Sequence, residues 1–255
     1  MKKLKGSLSL CAMLILFFAG ITGNNKPNDF NCVGNIYNNS TPECSCVLIG
    51  SQYVLVPAHA LVNSKIKLDT IAAAHIIAYV HYNDTLASTS SIQIQLNGKM
   101  YDCEKIIFYP EFVTDSLKGE CDIAIIKLKT AVTDVTPANI NTNYNEMHDK
   151  AVATGYSSTT NYKVQKLIDS LGGYHLDNTP IMLVCKFRNH SLNNIKDWPK
   201  NDILFDQTAD GWHLAGIGGG VEYTVETGKD VQMEGMSWTR VSAFADWIKK
   251  TIAEN

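Results

Sequence analysis

Short runs of apolar residues, separated by turn-forming residues, dominate the chain. β-Branched and aromatic residues fill the runs, and asparagine, glycine, aspartate and proline separate them, which is typical of strands joined by turns. One run, "SIQIQL", alternates apolar and polar positions like a strand with one exposed face. Many strands without alternating helices predict an all-β fold, a sandwich or barrels. The predicted strands include "CVLIGSQYVLVP" (46–57), "IIAYVHY" (76–82), "SIQIQL" (91–96), "DIAIIKL" (122–128), "IMLVCKF" (181–187) and "WHLAGIGGG" (212–220).

Two segments have helical periodicity instead. In residues 161–173, apolar residues at helical spacing are followed by two glycines, so this segment is predicted to be a helix that ends at Gly172. In the C-terminal segment, Ser242 is a candidate N-cap for a helix packed on the β-body. The apolar face of this second helix consists of Phe244, Trp247, Ile248 and Ile252.

The N-terminus has the pattern of a secretory signal peptide. Lys2, Lys3 and Lys5 precede the apolar run "LSLCAMLILFFAG", and small residues follow it. We expect residues 1–23 to be the signal peptide and residues 24–255 to form one secreted, extracellular domain. An uncleaved membrane anchor is the alternative, but the apolar run is shorter than the roughly 20 residues that span a bilayer.

Net charge disfavours two classes of partner. The chain has 22 Lys+Arg and 25 Asp+Glu, and removal of three leader lysines leaves a net charge near −6. No cluster of basic residues stands out along the sequence. We therefore expect neither nucleic acid nor an anionic membrane to be the main partner.

Secretion permits disulfides and glycosylation. Of seven cysteines, Cys11 lies in the leader, and the remaining six allow many pairings. A zinc site at "CSC" (44–46) is the alternative, but no histidine or cysteine at suitable spacing completes it. No metal and no cofactor are therefore predicted. N-glycosylation sequons begin at Asn38, Asn39, Asn83 and Asn189.

One histidine and one aspartate are the candidate chemical groups. His59 follows a buried apolar strand in a turn of small residues, and Asp122 lies at the mouth of the predicted strand 123–128. An aspartate there is costly unless a partner such as a histidine satisfies it. A carboxylate that fixes the tautomer of a histidine is the orienting half of a nucleophilic triad.

Six segments occur in a characteristic order from about residue 44 to the C-terminus. They are "CSCVLIGSQYVLVPAHAL", "CDIAIIKL", "AVATGYSS", "TPIMLVCKF", "GWHLAGIGGG" and "GMSWTRVSAFADWIKKTI". In this order they resemble the trypsin-like (chymotrypsin-fold) serine proteases, whose catalytic histidine and aspartate match His59 and Asp122. The resemblance implies two antiparallel six-stranded β-barrels with a C-terminal α-helix and the catalytic groups between the barrels.

The nucleophile motif of that family, G-D-S-G-G-P, is missing. Alignment of "GWHLAGI" with the family places Lys200 at the serine position, and a shift by one residue gives Pro199 or Asn201. A displaced nucleophile would have to be Ser170 or Ser191, which lie at the wrong distance from the other motifs. The resemblance therefore implies that this chain lacks the catalytic serine.

Other parts of the family's machinery are also altered. The glycines that shape the oxyanion hole map to Trp198 and Asn201, and the specificity residue maps to Asn194. The aromatic wall of the substrate strand is replaced by Gly218-Gly219-Gly220. No obvious site for activation by cleavage is present.

These departures imply a secreted, catalytically inactive serine protease homologue, in which His59 and Asp122 are remnants of the triad. We expect a monomer that acts by binding a protein, namely a protease, an inhibitor or a component of an immune cascade. Two alternatives stay open: an active serine hydrolase with a displaced nucleophile, and a secreted storage or structural protein.

The implied barrel also suggests disulfides and an insertion. Cys103 and Cys121 are expected to pair because their segments are neighbouring strands, and Cys32 is expected to pair with Cys44 or Cys46. The long separation of His59 and Asp122 suggests enlarged surface loops around residues 63–100.

Overall fold

The structure is a computed structural model, and most of what it describes is β-strand. The described residues are 30–71, 76–112, 121–143, 146, 150–156, 163–169, 174–176, 180–187, 201–224 and 232–255. Within these ranges, no helix is long and apolar enough to cross a membrane.

The first half of the chain forms a closed barrel of six antiparallel strands, in the order β1-β2-β3-β8-β7-β6. In β6, Ile92, Ile94 and Leu96 are buried and the two glutamines between them are half-buried, as the alternating pattern predicts. The strands of this barrel are β1 (Val33–Asn38), β2 (Thr41–Gly50), β3 (Tyr53–Val56), β6 (Ile92–Leu96), β7 (Lys99–Phe108) and β8 (Ala124–Leu128).

A long hairpin extends from this barrel beside the turn that carries His59. Its strands, β4 (Val62–Ile71) and β5 (Ile76–Leu86), form a separate two-stranded sheet. The amide of Ala87 donates to the carbonyl of Leu61 at 2.8 Å and joins the two ends of the hairpin. Much of the region where the sequence suggested enlarged loops is therefore a paired hairpin.

The second half of the chain forms a larger antiparallel sheet, in the order β11-β10-β14-β15-β16-β13-β12. β9 (Asn139–Ile140) pairs with β15 in parallel. The longer strands are β10 (Lys150–Tyr156), β11 (Lys163–Asp169), β12 (Tyr174–Leu176), β13 (Met182–Phe187), β14 (Ile203–Thr208), β15 (Gly211–Thr224) and β16 (Gln232–Arg240). The all-β prediction is confirmed: the described residues form one closed barrel and this second sheet.

The helix predicted at residues 161–173 is wrong. Residues 163–169 form β11, which pairs antiparallel with β10 from Tyr156↔Lys163 to Lys150↔Asp169. Seven consecutive pairs with a neighbouring strand supply backbone hydrogen bonds that outweigh a local helical pattern, because intrinsic propensity is a weak determinant.

The C-terminal helix is confirmed, but its predicted cap is not. A 3₁₀ turn at Val241–Phe244 leads into α1 (Ala245–Glu254), whose N-cap is Phe244. The hydroxyl of Ser242 instead donates to the carboxylate of Glu146. Phe244 and Ile248 are buried and pack against the core, as the apolar face predicted.

Hydrogen bonds join the barrel to the sheet. The amide of Tyr156 in β10 donates to the hydroxyl of Ser45 in β2 at 3.0 Å. The amide of Ala138 donates to the carbonyl of Leu48 at 2.8 Å. A continuous apolar core runs across this contact, from residues of β2 to Phe205 of β14. These hydrogen bonds and the shared core fix the sheet against the barrel.

The expected disulfides do not form. Cys44, Cys46, Cys103 and Cys185 are free thiols. Cys103 pairs with Leu128 at one end of the β7–β8 ladder, whereas Cys121 precedes Ala124, which pairs with Phe108 at the other end. Their strands are neighbours, as predicted, but several residues at about 3.3 Å each separate the two cysteines.

Candidate functional site

His59 is held by a single turn of 3₁₀ helix, Ala58–Leu61, which directly follows β3. Pro57 precedes this turn with φ −63°, and its carbonyl accepts from the amide of Ala60. Ala58 and Leu61 are fully buried, whereas the side chain of His59 is 49% exposed. The two buried residues thus anchor the turn and leave the imidazole at the surface of the cleft.

Asp122 is held at the start of β8 by a tight turn. Cys121 has a left-handed backbone with φ 63°, and its carbonyl accepts from the amide of Ile123 at 2.7 Å. The hydroxyl of Thr239, in β16 of the other half, donates to the carbonyl of Asp122 at 3.3 Å. The aspartate is therefore fixed from both halves of the molecule.

Asp122 holds His59 through both carboxylate oxygens. The backbone amide of His59 donates to Oδ1 at 2.8 Å, and Nδ1 of the ring lies 2.6 Å from Oδ2. The second contact places a proton on Nδ1, so that the neutral ring has Nε2 as its acceptor. This arrangement can orient a general base, which is the role that the resemblance implies for the pair; that role stays a prediction.

The pair also changes the acidity of the histidine. Partial burial of the ring lowers the pKa of His59, but the hydrogen bond that the ring donates to Asp122 and the negative charge of Asp122 outweigh burial, so the pKa is raised above its ordinary value. The imidazolium form is thereby favoured by the neighbouring carboxylate.

A polar cavity of about 300 Å³ opens beside His59. Asn201 reaches it from the segment just before β14, with a left-handed backbone at φ 47°. The other described residues at this cavity are Asn38, Glu43, Ala60, Val62 and Asn63. Among the described residues around this cavity there is no serine and no cysteine.

The residue after Asn201 is a buried aspartate, Asp202, which the sequence analysis did not single out. Asp202 is completely buried, and its Oδ1 accepts from the indole Nε1 of Trp238 at 2.5 Å. Its carbonyl accepts from the amide of Gly219 at 3.1 Å. A Cβ on Gly219 would lie 1.7 Å from Oδ1 of Asp202, so a side chain at residue 219 and this carboxylate exclude each other.

Gly218 lies where β15 packs against the turn that carries His59. It has φ 71°, and a Cβ there would lie 3.2 Å from the ring of Pro57 and 3.7 Å from Oδ2 of Asp122. The glycine run predicted as an altered substrate wall thus lies against the His59–Asp122 pair. Its glycines allow the close approach.

Sequence reasoning missed Asp202, Trp238 and the buried pair Glu146–Arg240. Nε and a terminal nitrogen of Arg240 donate to the carboxylate of Glu146 at 3.1 and 2.5 Å. The signal for Asp202 was present, because it precedes a buried strand just as Asp122 does. Nothing in the local sequence pointed to Trp238 or Glu146.

Several predicted site residues lie outside the described residues: Ser170, Ser191, Asn194, Trp198, Pro199 and Lys200. The structure therefore brings together His59, Asp122, Asn201 and Gly218 from the predicted set. No group of three or more potential metal ligands occurs in the part of the chain that the structure describes.

Known structures resemble this chain at low sequence identity. Kallikrein-related peptidase 10 matches with a TM-score of 0.56 and 13% identity over 89% of this chain and 98% of the other. The same peptidase in complex with Zn²⁺ matches with a TM-score of 0.58 and 15% identity, over 89% and 98%. Mouse neuropsin, a serine protease expressed in the limbic system of the brain, matches with a TM-score of 0.57 and 16% identity, over 89% and 96%. Identities this low establish a shared fold alone.

No curated protein matches the chain closely enough in sequence to count as a relative. The sequence profile of the Trypsin family, in contrast, matches residues 21–179, which is more than half of the chain. This matched range includes His59 and Asp122 and ends before Lys200. Together with the trypsin-like fold, the profile match shows that the chain belongs to the trypsin family of serine proteases.

Proposed function

We propose that this chain is a secreted trypsin-family protein without protease activity, and that it acts by binding another protein. The observation that carries the proposal is the cavity beside His59. Asn201 reaches this cavity from the segment where the family has its nucleophile, and the described residues around the cavity offer no hydroxyl or thiol. An asparagine amide cannot serve as the nucleophile of an acyl transfer.

The alignment of the family's serine with Lys200 supports the same conclusion. Loss of the serine from a triad costs about 10⁶-fold in kcat. What is left, roughly 10³–10⁴ over water, depends on an intact oxyanion hole. The glycines of that hole map to Trp198 and Asn201, so we expect no measurable hydrolysis.

The substrate side of the cleft supports a changed role as well. Asp202 and Trp238 hydrogen-bond to each other where the glycine run passes, and residue 219 cannot carry a side chain beside them. A wall that would grip a peptide is thus exchanged for an internal contact. The cleft and the β4–β5 hairpin next to it are then available to bind a protease, an inhibitor or an immune-cascade component.

Labelling with a fluorophosphonate tests the absence of activity. The purified protein without residues 1–23 is incubated with the probe beside trypsin, and His59→Ala is treated in parallel. We expect trypsin to be labelled and neither form of this protein to react. Stoichiometric labelling that disappears in His59→Ala would overturn the proposal, and Ser170→Ala and Ser191→Ala would then identify the displaced nucleophile.

Competition tests the binding role. The protein is titrated into a trypsin-like protease acting on its protein substrate, with and without a protein inhibitor. A binding homologue changes the rate with a saturable dependence on its concentration. A storage or structural protein, the alternative, produces no saturable change at any concentration up to that of the substrate.

A further inference from the structure

The turn between β1 and β2 contains two overlapping glycosylation sequons. Residues 38–41 read Asn-Asn-Ser-Thr, so Asn38 and Asn39 each begin a sequon. Asn38 pairs with Thr41, and Asn39 and Ser40 form the two-residue loop, with φ values of 49° and 65°. Positive φ at both loop residues defines the type I′ turn, which favours asparagine and glycine.

Asn38 is a poor site for a glycan in this fold. Its side chain is buried, and its Nδ2 donates to Oδ1 of Asn63 at 2.8 Å. It also lies against the cavity beside His59, which at about 300 Å³ cannot contain a branched oligosaccharide. A sugar on this nitrogen would have to displace the contact with Asn63.

Asn39 has the opposite surroundings. It lies exposed at the tip of the turn, and its backbone amide is held by the carbonyl of Ser91 at 2.9 Å. Its Nδ2 donates to Oδ1 of Asn38 at 3.3 Å. A glycosylated amide keeps one N–H, so this hydrogen bond and a sugar directed to solvent are compatible.

We propose that Asn39, and not Asn38, carries an N-linked glycan at the rim of the cavity beside His59. In the transfer, Nδ2 of Asn39 forms a bond to C1 of the first sugar of a polyisoprenyl-diphosphate oligosaccharide. The bond from C1 to the diphosphate oxygen breaks, the lipid diphosphate leaves, and Nδ2 loses one proton. The inference rests on the secretion included in the proposed function.

A glycan on Asn39 would restrict the directions from which a protein partner can reach the cleft. Asn39 contacts Asn38, and Asn38 lies beside the cavity that also borders His59 and Asn201. A bulky, hydrated oligosaccharide at this turn covers that end of the cleft. A protein partner must therefore approach His59 from the side away from the β1–β2 turn.

Two neighbouring substitutions separate the sequons. Ser40→Gly removes the sequon of Asn38, keeps that of Asn39, and suits the positive φ of residue 40. Thr41→Val removes the sequon of Asn39, keeps that of Asn38, and retains a β-branched residue at the exposed start of β2. The full-length chain and both variants are secreted from insect cells and analysed as folded proteins.

The readout is the glycosylated residue itself. Enzymatic removal of the glycan in ¹⁸O water converts the modified asparagine to a labelled aspartate, and peptide fragmentation places it at 38 or 39. We expect label at residue 39 in the wild type and in Ser40→Gly, and its complete loss from the secreted Thr41→Val protein. Label at residue 38 in any secreted form overturns the proposal.

Failure of this inference can be told apart from failure of the proposed function. A secreted protein that has lost its leader but carries no label at residue 39 overturns the glycan alone. A protein retained in the cell with residues 1–23 still attached overturns the secretion on which both depend.

Discussion

The carboxylate of Asp202 lies in the space that a side chain on residue 219 would occupy: a Cβ on Gly219 would meet Oδ1 at 1.7 Å and the indole nitrogen of Trp238 at 2.6 Å. The amide of Gly219 also donates to the carbonyl of Asp202. This backbone contact holds the two residues close together. The contact between Asp202 and Trp238 therefore requires a glycine at residue 219.

Gly219→Ala tests this packing. The new methyl group must displace a buried carboxylate or an indole, and such overpacking costs about 1–3 kcal/mol. Urea unfolding should show a clearly lower midpoint for this variant. Gly220→Ala is the matched control, because a Cβ there meets nothing closer than Ser237 at 3.8 Å. Equal midpoints for the two variants would contradict the contact.

The raised pKa of His59 predicts pH-dependent stability. A histidine has a pKa of about 6.5 in the unfolded chain. Because the folded value is higher, the stabilisation by His59 is fully present below about pH 6.5 and is lost as pH rises through the folded value. The free energy of unfolding lost in His59→Gln should therefore be larger at pH 5.5 than at pH 8.5.

The same comparison in an Asp122→Asn background serves as the control. Without the carboxylate, only burial acts on the ring and lowers its pKa. The loss of free energy of unfolding in His59→Gln should therefore no longer be larger at pH 5.5 than at pH 8.5. A loss that is still larger at pH 5.5 in this background would show that another group raises the pKa of the histidine.

Breaking the buried pair Glu146–Arg240 is expected to lower the free energy of unfolding strongly. The carboxylate is fully buried and the guanidinium is 8% exposed. Breaking a buried pair by removal of one partner costs about 3–5 kcal/mol. Glu146→Gln should lower the free energy of unfolding by an amount of this order.

An exposed pair provides the comparison. Lys99 and Asp134 lie 2.8 Å apart at the surface, and exposed pairs contribute about 0–1 kcal/mol. Asp134→Asn should therefore have a small effect in the same unfolding assay. If Glu146→Gln is as mild as Asp134→Asn, then the buried pair does not make the contribution to stability that its burial predicts.

The free thiols of Cys44, Cys46, Cys103 and Cys185 predict a pattern of reactivity. Burial raises the pKa of Cys44 and Cys46, and it raises the pKa of Cys103 and of Cys185 to about 12. Since the thiolate is the reactive form, these cysteines should not react with an alkylating reagent at pH 8 in the native protein. After denaturation without a reductant, all four should be alkylated.

Mass spectrometry of the alkylated peptides is the measurement. The peptide with Cys103 distinguishes the free thiol of this structure from the Cys103–Cys121 disulfide that the resemblance implies. If Cys103 remains blocked until a reductant is added, the register of β7 against β8 is wrong. Burial is also the physical reason why these thiols can stay unpaired.

The sequence alone predicted several of the strands, the C-terminal helix and the partnership of His59 with Asp122. Strand and helix patterns repeat within a few residues, so they can be read locally. His59 and Asp122 could be paired because each lies at the end of a buried strand and the family's motif order implied their meeting. The distance of 2.6 Å between Nδ1 and Oδ2 agrees with that prediction.

Other features of the fold and of the site were decided only by the tertiary structure. The segment 163–169 has a helical pattern, yet pairing with β10 makes it a strand. Cys103 and Cys121 lie on neighbouring strands, yet the register separates them. Asp202, Trp238 and Gly219 are distant in sequence and meet because β14, β15 and β16 are adjacent in the sheet. Register and long-range packing depend on how the whole chain closes, and no local pattern encodes them.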